Sequence, residues 1–270
     1  MSNKCLLIAD HKSVDKQIHI FNKNDFSYLT SIGNFGEGPE EITVMGCLAI
    51  DEAHHQLYVS DHAKQKIFSY DMDSVMVDSL YKPQVKTAMN ETLFPSEYQY
   101  INDTLSIAVL IKPTSTSTFN QFLGRWNMNT GEMIPMKYTH PDIQKKRITF
   151  AASEKAGIYV ECYTRHDLMT ICSLDGELLY NIYGPDWDGG NGNKLQSFGT
   201  VMIGNDKIFV SYCGEDYARD SFPTKILVFD LEGNYLKTLE TGYKISDCCY
   251  DSFNNRIILS LNDVHRSKTK

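Results

Sequence analysis

The sequence predicts an all-β fold, a β-propeller of four-stranded blades, and three observations carry that prediction. Short runs rich in Val, Ile, Tyr and Phe recur along the 270 residues, bounded by Asp, Asn and Gly. The turn chemistry between them repeats at corresponding places. Helical periodicity is almost absent. A repeat of about fifty residues with four strands is long for the commonest propeller repeat and suits a larger blade.

The legible unit is a strand closed by a polar turn. It occurs as Ile18–Asn22, Ile67–Asp71, Leu123–Asn127, Thr170–Ser173 and Ile226–Asp230. The turns that follow include Met72-Asp-Ser74, Met128-Asn-Thr-Gly131 and Leu231-Glu-Gly233. Asp, Asn and Gly supply the side-chain-capped and left-handed conformations of tight hairpins. Each turn leads into a fourth strand: Phe26–Ile32, Val75–Tyr81, Glu132–Tyr138, Glu177–Tyr183 and Tyr235–Leu239.

First and second strands read as Cys47–Asp51 with Leu57–Asp61, and Tyr98–Ile101 with Thr104–Leu110. Later pairs are Ile148–Ala152 with Gly157–Cys162, Thr200–Ile203 with Lys207–Tyr212, and Ile245–Tyr250 with Arg256–Leu261. The chain opens on a lone second strand, Cys5–Ala9. Five repeats are countable. Terminal strands are expected to close the ring, since closure removes open sheet edges, and 1–270 is expected to form a single domain.

Composition narrows the function classes. The formal net charge is -8, and the basic clusters are Lys145-Lys-Arg147 and the tail Arg266–Lys270. A phosphate backbone needs several cations on one surface, so nucleic acid is not an expected partner. No apolar run approaches the ~20 residues that span a bilayer, and the first ten residues do not read as a secretion signal. Most of the seven cysteines are read as reduced and buried, because a chain of this size needs no staples. No Cys/His spacing matches a zinc motif. The chain is expected to be a monomer without a cofactor.

The corner Gly33–Glu41, with Gly36-Glu-Gly-Pro-Glu40, and the following strand Leu57-Tyr-Val-Ser-Asp61 resemble the TolB-like six-bladed propeller proteins and are similar to NHL-repeat propellers. The match is specific over Ile32–Asp71 and elsewhere is one of architecture. The resemblance implies six blades, and export to the periplasm or cell envelope, often as a lipoprotein. The sequence departs from that pattern in its five clear repeats and in opening without a leader. Gly36-Glu-Gly-Pro39 is read as a blade-to-blade corner, since no helix follows that could hold a phosphate.

Loop lengths locate a binding face. Turns between first and second strands are short, whereas Gly33–Val44, Lys82–Pro95, Thr139–Lys146, Tyr163–Asp167, Gly184–Ser197 and Cys213–Thr224 are longer and varied. In a propeller these longer connections share one face, and binding residues favour loops on a rigid scaffold. Tyr163-Thr-Arg-His-Asp167 offers Arg165 to an anionic or sugar ligand and a His166–Asp167 pair to acid–base chemistry; equally, Arg165 and Asp167 suit the bracing of a solvated hairpin. Trp187, in a glycine-rich loop, can stack on a sugar or peptide, while Trp126 is read as core. Tyr212 and Glu215 join the set at the end of a second strand.

Asp61 and His62 are a further candidate pair, echoed by Asp10 and His11. An Asp at that point also caps the backbone N–H groups of the following loop, and the capping reading is preferred. Asp186 and Asp188 alternate as in calcium loops, but the closing Glu is missing, so no metal is expected. No serine-nucleophile elbow occurs, and Glu215 and Asp216 work against a reactive Cys213 thiolate.

The leading expectation is therefore a non-enzymatic binding propeller for a protein, peptide or glycan. Its rival is a metal-dependent lactonase or lyase, which needs several ligands around one cation. Asp10, Asp61 and His62 are the matching candidates for it, whereas Leu110, Cys162 and Leu261 are poor ligands. A structural ring in an envelope assembly is a third reading.

Overall fold

The computed structural model describes residues 2–78, 80–190, 195–216 and 222–262. The chain is an all-β propeller built of antiparallel sheets whose strands follow one another in chain order. By backbone contacts it divides into two compact units, 1–135 and 136–270.

The first unit holds three sheets. One is three-stranded, β1 (Cys5–Ala9), β2 (Lys16–Asn22) and β3 (Tyr28–Asn34). The second has four strands: β4 (Met45–Asp51), β5 (Gln56–Asp61), β6 (Lys66–Asp71) and β7 (Gln84–Ala88). The third comprises β8 (Phe94–Asn102), β9 (Leu105–Pro113), β10 (Phe119–Trp126) and β11 (Met133–Pro135).

The second unit repeats the plan. Its four-stranded sheets are β12 (Ile148–Ser153), β13 (Ile158–Tyr163), β14 (Leu168–Ser173) and β15 (Leu178–Tyr183), then β16 (Leu195–Gly204), β17 (Lys207–Asp216), β18 (Lys225–Phe229) and β19 (Tyr235–Glu240). A two-stranded sheet of β20 (Ile245–Asp251) and β21 (Arg256–Leu261) follows.

Burial explains why second strands are so apolar. In β5 and β13 almost every residue is buried, because sheets cover both faces. Fourth strands such as β15 and β19 are largely exposed edges. Apolar cores lie between successive sheets. In the second unit Val160, Cys162, Met169 and Ile171 pack with Phe198, Val201 and Val210. Trp126 is core, 1% exposed and edge-on to Tyr98. All seven cysteines are free thiols.

One expected element is corrected. Val75–Tyr81 is not the fourth strand of its blade. A short helix, α1 (Met72–Val77), occupies this place, and β7 supplies the fourth strand further along. The Asp71 carboxylate accepts from Ser74 N at 2.7 Å, and this N-cap satisfies a backbone donor of the first turn. Met72 and Val75, one turn apart, bury their side chains against the first-unit core, so a stretch that resembles a turn winds up as helix.

The glycine-rich corner is a clasp around a lysine. Lys64 Nζ donates to the carbonyls of Gly36 (3.3 Å), Gly38 (2.7 Å) and Glu41 (2.5 Å). Glu41 turns back to accept from Gly38 N, and a parallel bridge between Phe35 and Ile42 closes the base. The ammonium neutralises the convergent carbonyl dipoles, and the carbonyls replace its water.

Candidate functional site

Three loops of the second unit build the site: residues 136–147 before β12, 164–167 between β13 and β14, and 184–190 after β15. Backbone hydrogen bonds tie them together. Thr164 N donates to Arg147 O at 3.0 Å, and Gly184 N donates to Asp167 O at 2.8 Å. Asp167, 3% exposed, accepts from Asp186 N at 3.0 Å and from the Tyr212 hydroxyl. Burial first, and the nearby Asp186 carboxylate after it, push the Asp167 carboxyl up, against the lowering effect of these donors. A Cβ on Gly184 would lie 2.0–2.3 Å from the Asp167 carboxylate, so only glycine lets the loop close over it.

Aromatic rings form one wall. Trp187 packs against Tyr183 (5.0 Å between centroids), His140 (5.4 Å) and His166 (6.0 Å). His140 is 2% exposed; its Nδ1 accepts from Asp142 N, which leaves the proton on Nε2, 3.0 Å from the Tyr183 oxygen. This neutral tautomer agrees with burial, which holds His140 below the ordinary histidine value. Tyr183 itself is about half exposed, so the wall keeps an open aromatic face.

Charged residues line a cleft that meets this aromatic cluster at His166. Lys145 and Gln144 are exposed, Arg147 is half-buried and Arg165 exposed. With Asp142 and His166 they line a cleft of about 520 Å³. Lys146, between Lys145 and Arg147 in sequence, points inward and pairs with Glu161 at 2.6 Å. His166 is 7% exposed, its Nδ1 makes no hydrogen bond, and Asp188 Oδ1 lies 3.8 Å away. Desolvation holds the His166 imidazole below its ordinary value, outweighing the attraction of the Asp188 carboxylate.

The structure thus brings together Arg165, His166, Trp187 and, through Asp167, Tyr212. Glu215 is an exposed residue of β17. The Asn191–Asn193 end of the Gly184 loop lies outside the described residues. Lys145, Arg147 and His140 are site residues that the sequence reading did not select.

Asp61 and His62 lie in the first unit. The Asp61 carboxylate, fully buried, accepts from the backbone N–H groups of Thr43, Val44, Ala63 and Lys64. It is a loop cap in this geometry. The His62 ring sits in the space where Gly46 has no side chain, 2.4 Å from where a Cβ would be, and its Nε2 is buried without a hydrogen-bond partner. Among the described residues, no three His, Cys, Asp or Glu side chains converge on a point where a metal ion could be held. No helix of the described residues is long and apolar enough to cross a membrane.

Residues 1–124 match the DUF5128 family, described as a 6-bladed beta-propeller. No curated protein matches the chain. Among solved structures, a protein of unknown function from Bacteroides caccae is similar at 12% identity and a TM-score of 0.53, over 92% of this chain and 79% of that one. A DUF4221-family protein from Bacteroides vulgatus is similar at 10% identity and a TM-score of 0.55, over 90% of this chain and 89% of that one. A chain of the nidogen/laminin complex is similar at 10% identity and a TM-score of 0.52, over 87% of this chain and 78% of that one. At such identities the likeness is one of fold, and the fold these proteins share with the present chain is the β-propeller.

Proposed function

We propose that this chain is a single-domain, non-enzymatic binding propeller of the TolB-like and NHL-like kind, recognising a protein, peptide or glycan. Arg165, His166, Trp187 and Tyr212 form its recognition surface, with Glu215 at the margin. Asp61 and His62 shape a loop of the first unit. One observation carries the reading: three long loops pack an open aromatic wall beside a charged cleft, and hydrogen bonds among the loops hold both in place. A pre-formed concavity with convergent polar groups is the usual form of a ligand site. A chain of the nidogen/laminin complex shares the fold, and the TolB-like resemblance implies an envelope location.

The test is an array of glycans and peptides probed with the wild-type protein, Trp187→Ala and Arg165→Ala. Ligands retained by the wild type and lost by both variants support the reading. Identical array profiles for all three proteins refute it.

A further inference from the structure

The chemistry of the cleft singles out a class of ligand. Among the described residues that line it, Lys145, Arg147 and Arg165 are cationic and Asp142 is anionic, in a chain whose formal net charge is -8. A local cationic excess in a concave site draws an anion from solution. Two of the three cations are guanidinium groups, whose planar fork matches a carboxylate.

Asp142 and Gln144 argue against a bare polyanion. An additional carboxylate at the rim repels phosphate or sulfate, but it accepts hydrogen bonds from hydroxyl groups, as the Gln144 amide also does. A ligand carrying a carboxylate and hydroxyls on one ring uses both sets. His166 adds an independent sign of a ligand: nine-tenths buried in the cleft wall, it keeps an unused ring nitrogen. Buried polar atoms are normally satisfied, and a bound ligand that shifts the ring toward Asp188 or contacts it directly would complete the set. On its other side His166 meets Trp187, which continues into the half-exposed Tyr183. Aromatic surface beside an acid-binding group is what the C–H face and carboxylate of a sugar acid need together.

We propose that the cleft is the acid subsite for a uronate residue of a glycan, with Arg147 and Arg165 on the carboxylate and Asp142 and Gln144 on ring hydroxyls. The inference rests on the binding reading above and gives it a ligand class.

Isothermal titration of the full chain with a panel of galacturonate, glucuronate and mannuronate oligosaccharides tests it. The comparators are the same oligosaccharides with reduced carboxyls, and inorganic phosphate. At least one uronate is expected to bind, its reduced form about tenfold or more weakly. Arg165→Gln and Arg147→Gln should each weaken the uronate by about tenfold without moving the melting temperature. Rising salt should weaken it further.

The assignment is overturned if no uronate in the panel binds, if the reduced forms bind equally well, or if both arginine variants bind as the wild type does. It is also overturned if phosphate competes as effectively as the uronate, which would leave a plain anion site. A neutral glycan or peptide captured through Trp187 while every uronate fails would sink this inference and leave the binding propeller standing.

Discussion

Replacing Lys146 with Met should isolate a buried charge. Lys146 Nζ lies 2.6 Å from both Glu161 carboxylate oxygens, and the two side chains are 7% and 1% exposed. The Tyr163 hydroxyl donates to the same carboxylate at 3.2 Å. In Lys146→Met the carboxylate keeps that hydroxyl but loses its counter-ion. Breaking one half of a buried pair costs about 3–5 kcal/mol, whereas replacing both halves with apolar groups is often neutral or better. At about 1.4 kcal/mol per factor of ten, the single change shifts the unfolding equilibrium by roughly two to four orders of magnitude. Lys146→Met with Glu161→Leu should recover most of that loss. Urea titrations of the wild type, both single variants and the double variant give the coupling energy from a double-mutant cycle, with the slope checking that the unfolded state is unchanged. A single-variant cost below about 1 kcal/mol, or a double variant no better than the singles, would refute a desolvated, coupled pair.

Three further outcomes follow from the same geometry. Gly184→Ala drives a methyl group into the Asp167 carboxylate and should cost about 1–3 kcal/mol, in the range for overpacking; an unchanged urea midpoint would mean the loop yields freely. Lys64→Met leaves three corner carbonyls without their shared donor and should cost about 1–3 kcal/mol, with hydrogen exchange accelerated at Gly36, Gly38 and Ile42 rather than throughout the fold. His62, His140 and His166 are all held below the ordinary histidine value, chiefly by burial. For these three groups the unfolded chain takes up protons first as the pH falls through about 6.5, and they outnumber the two that act the other way, His54, held up by Asp51, and Asp167, held up by burial, so stability declines below neutrality. A melting temperature that stays level or rises between about pH 7 and 5 would contradict this.

Strands were legible wherever both faces are covered, because such strands read as continuous apolar runs. Leu57-Tyr-Val-Ser-Asp61 and Ile158–Tyr163 are examples. The exposed edge β7, Gln84-Val-Lys-Thr-Ala88, gives no such signal, and Val75–Tyr81 is the stretch that reads as a strand instead. What makes Met72–Val77 helical is an Asp cap followed by two apolar residues one turn apart, a pattern too short for periodicity to declare. In the site, Arg165, His166 and Trp187 were visible as chemically unusual residues in long loops. Lys145 and Arg147 were visible only as part of a basic run. An extended segment sends alternate side chains to opposite sides, so the run could have been divided into two outward cations and one inward. That the inward one meets Glu161 is tertiary information. His140 gave no signal, since its role depends on Tyr183 at the end of β15 and Trp187 in the loop that follows.

The clasp at Gly36–Glu41 makes Lys64 a built-in reporter. Acylating reagents need an open approach to the amine nitrogen, and Lys64 Nζ is enclosed by three carbonyl oxygens with its side chain 16% exposed. Its labelling rate is then set by how often the corner unwraps, while a lysine such as Lys155, 86% exposed, reacts at a rate set by the reagent. The ratio of the two, read by mass spectrometry on untouched wild-type protein, converts a glycine-rich loop into a clock for its own opening.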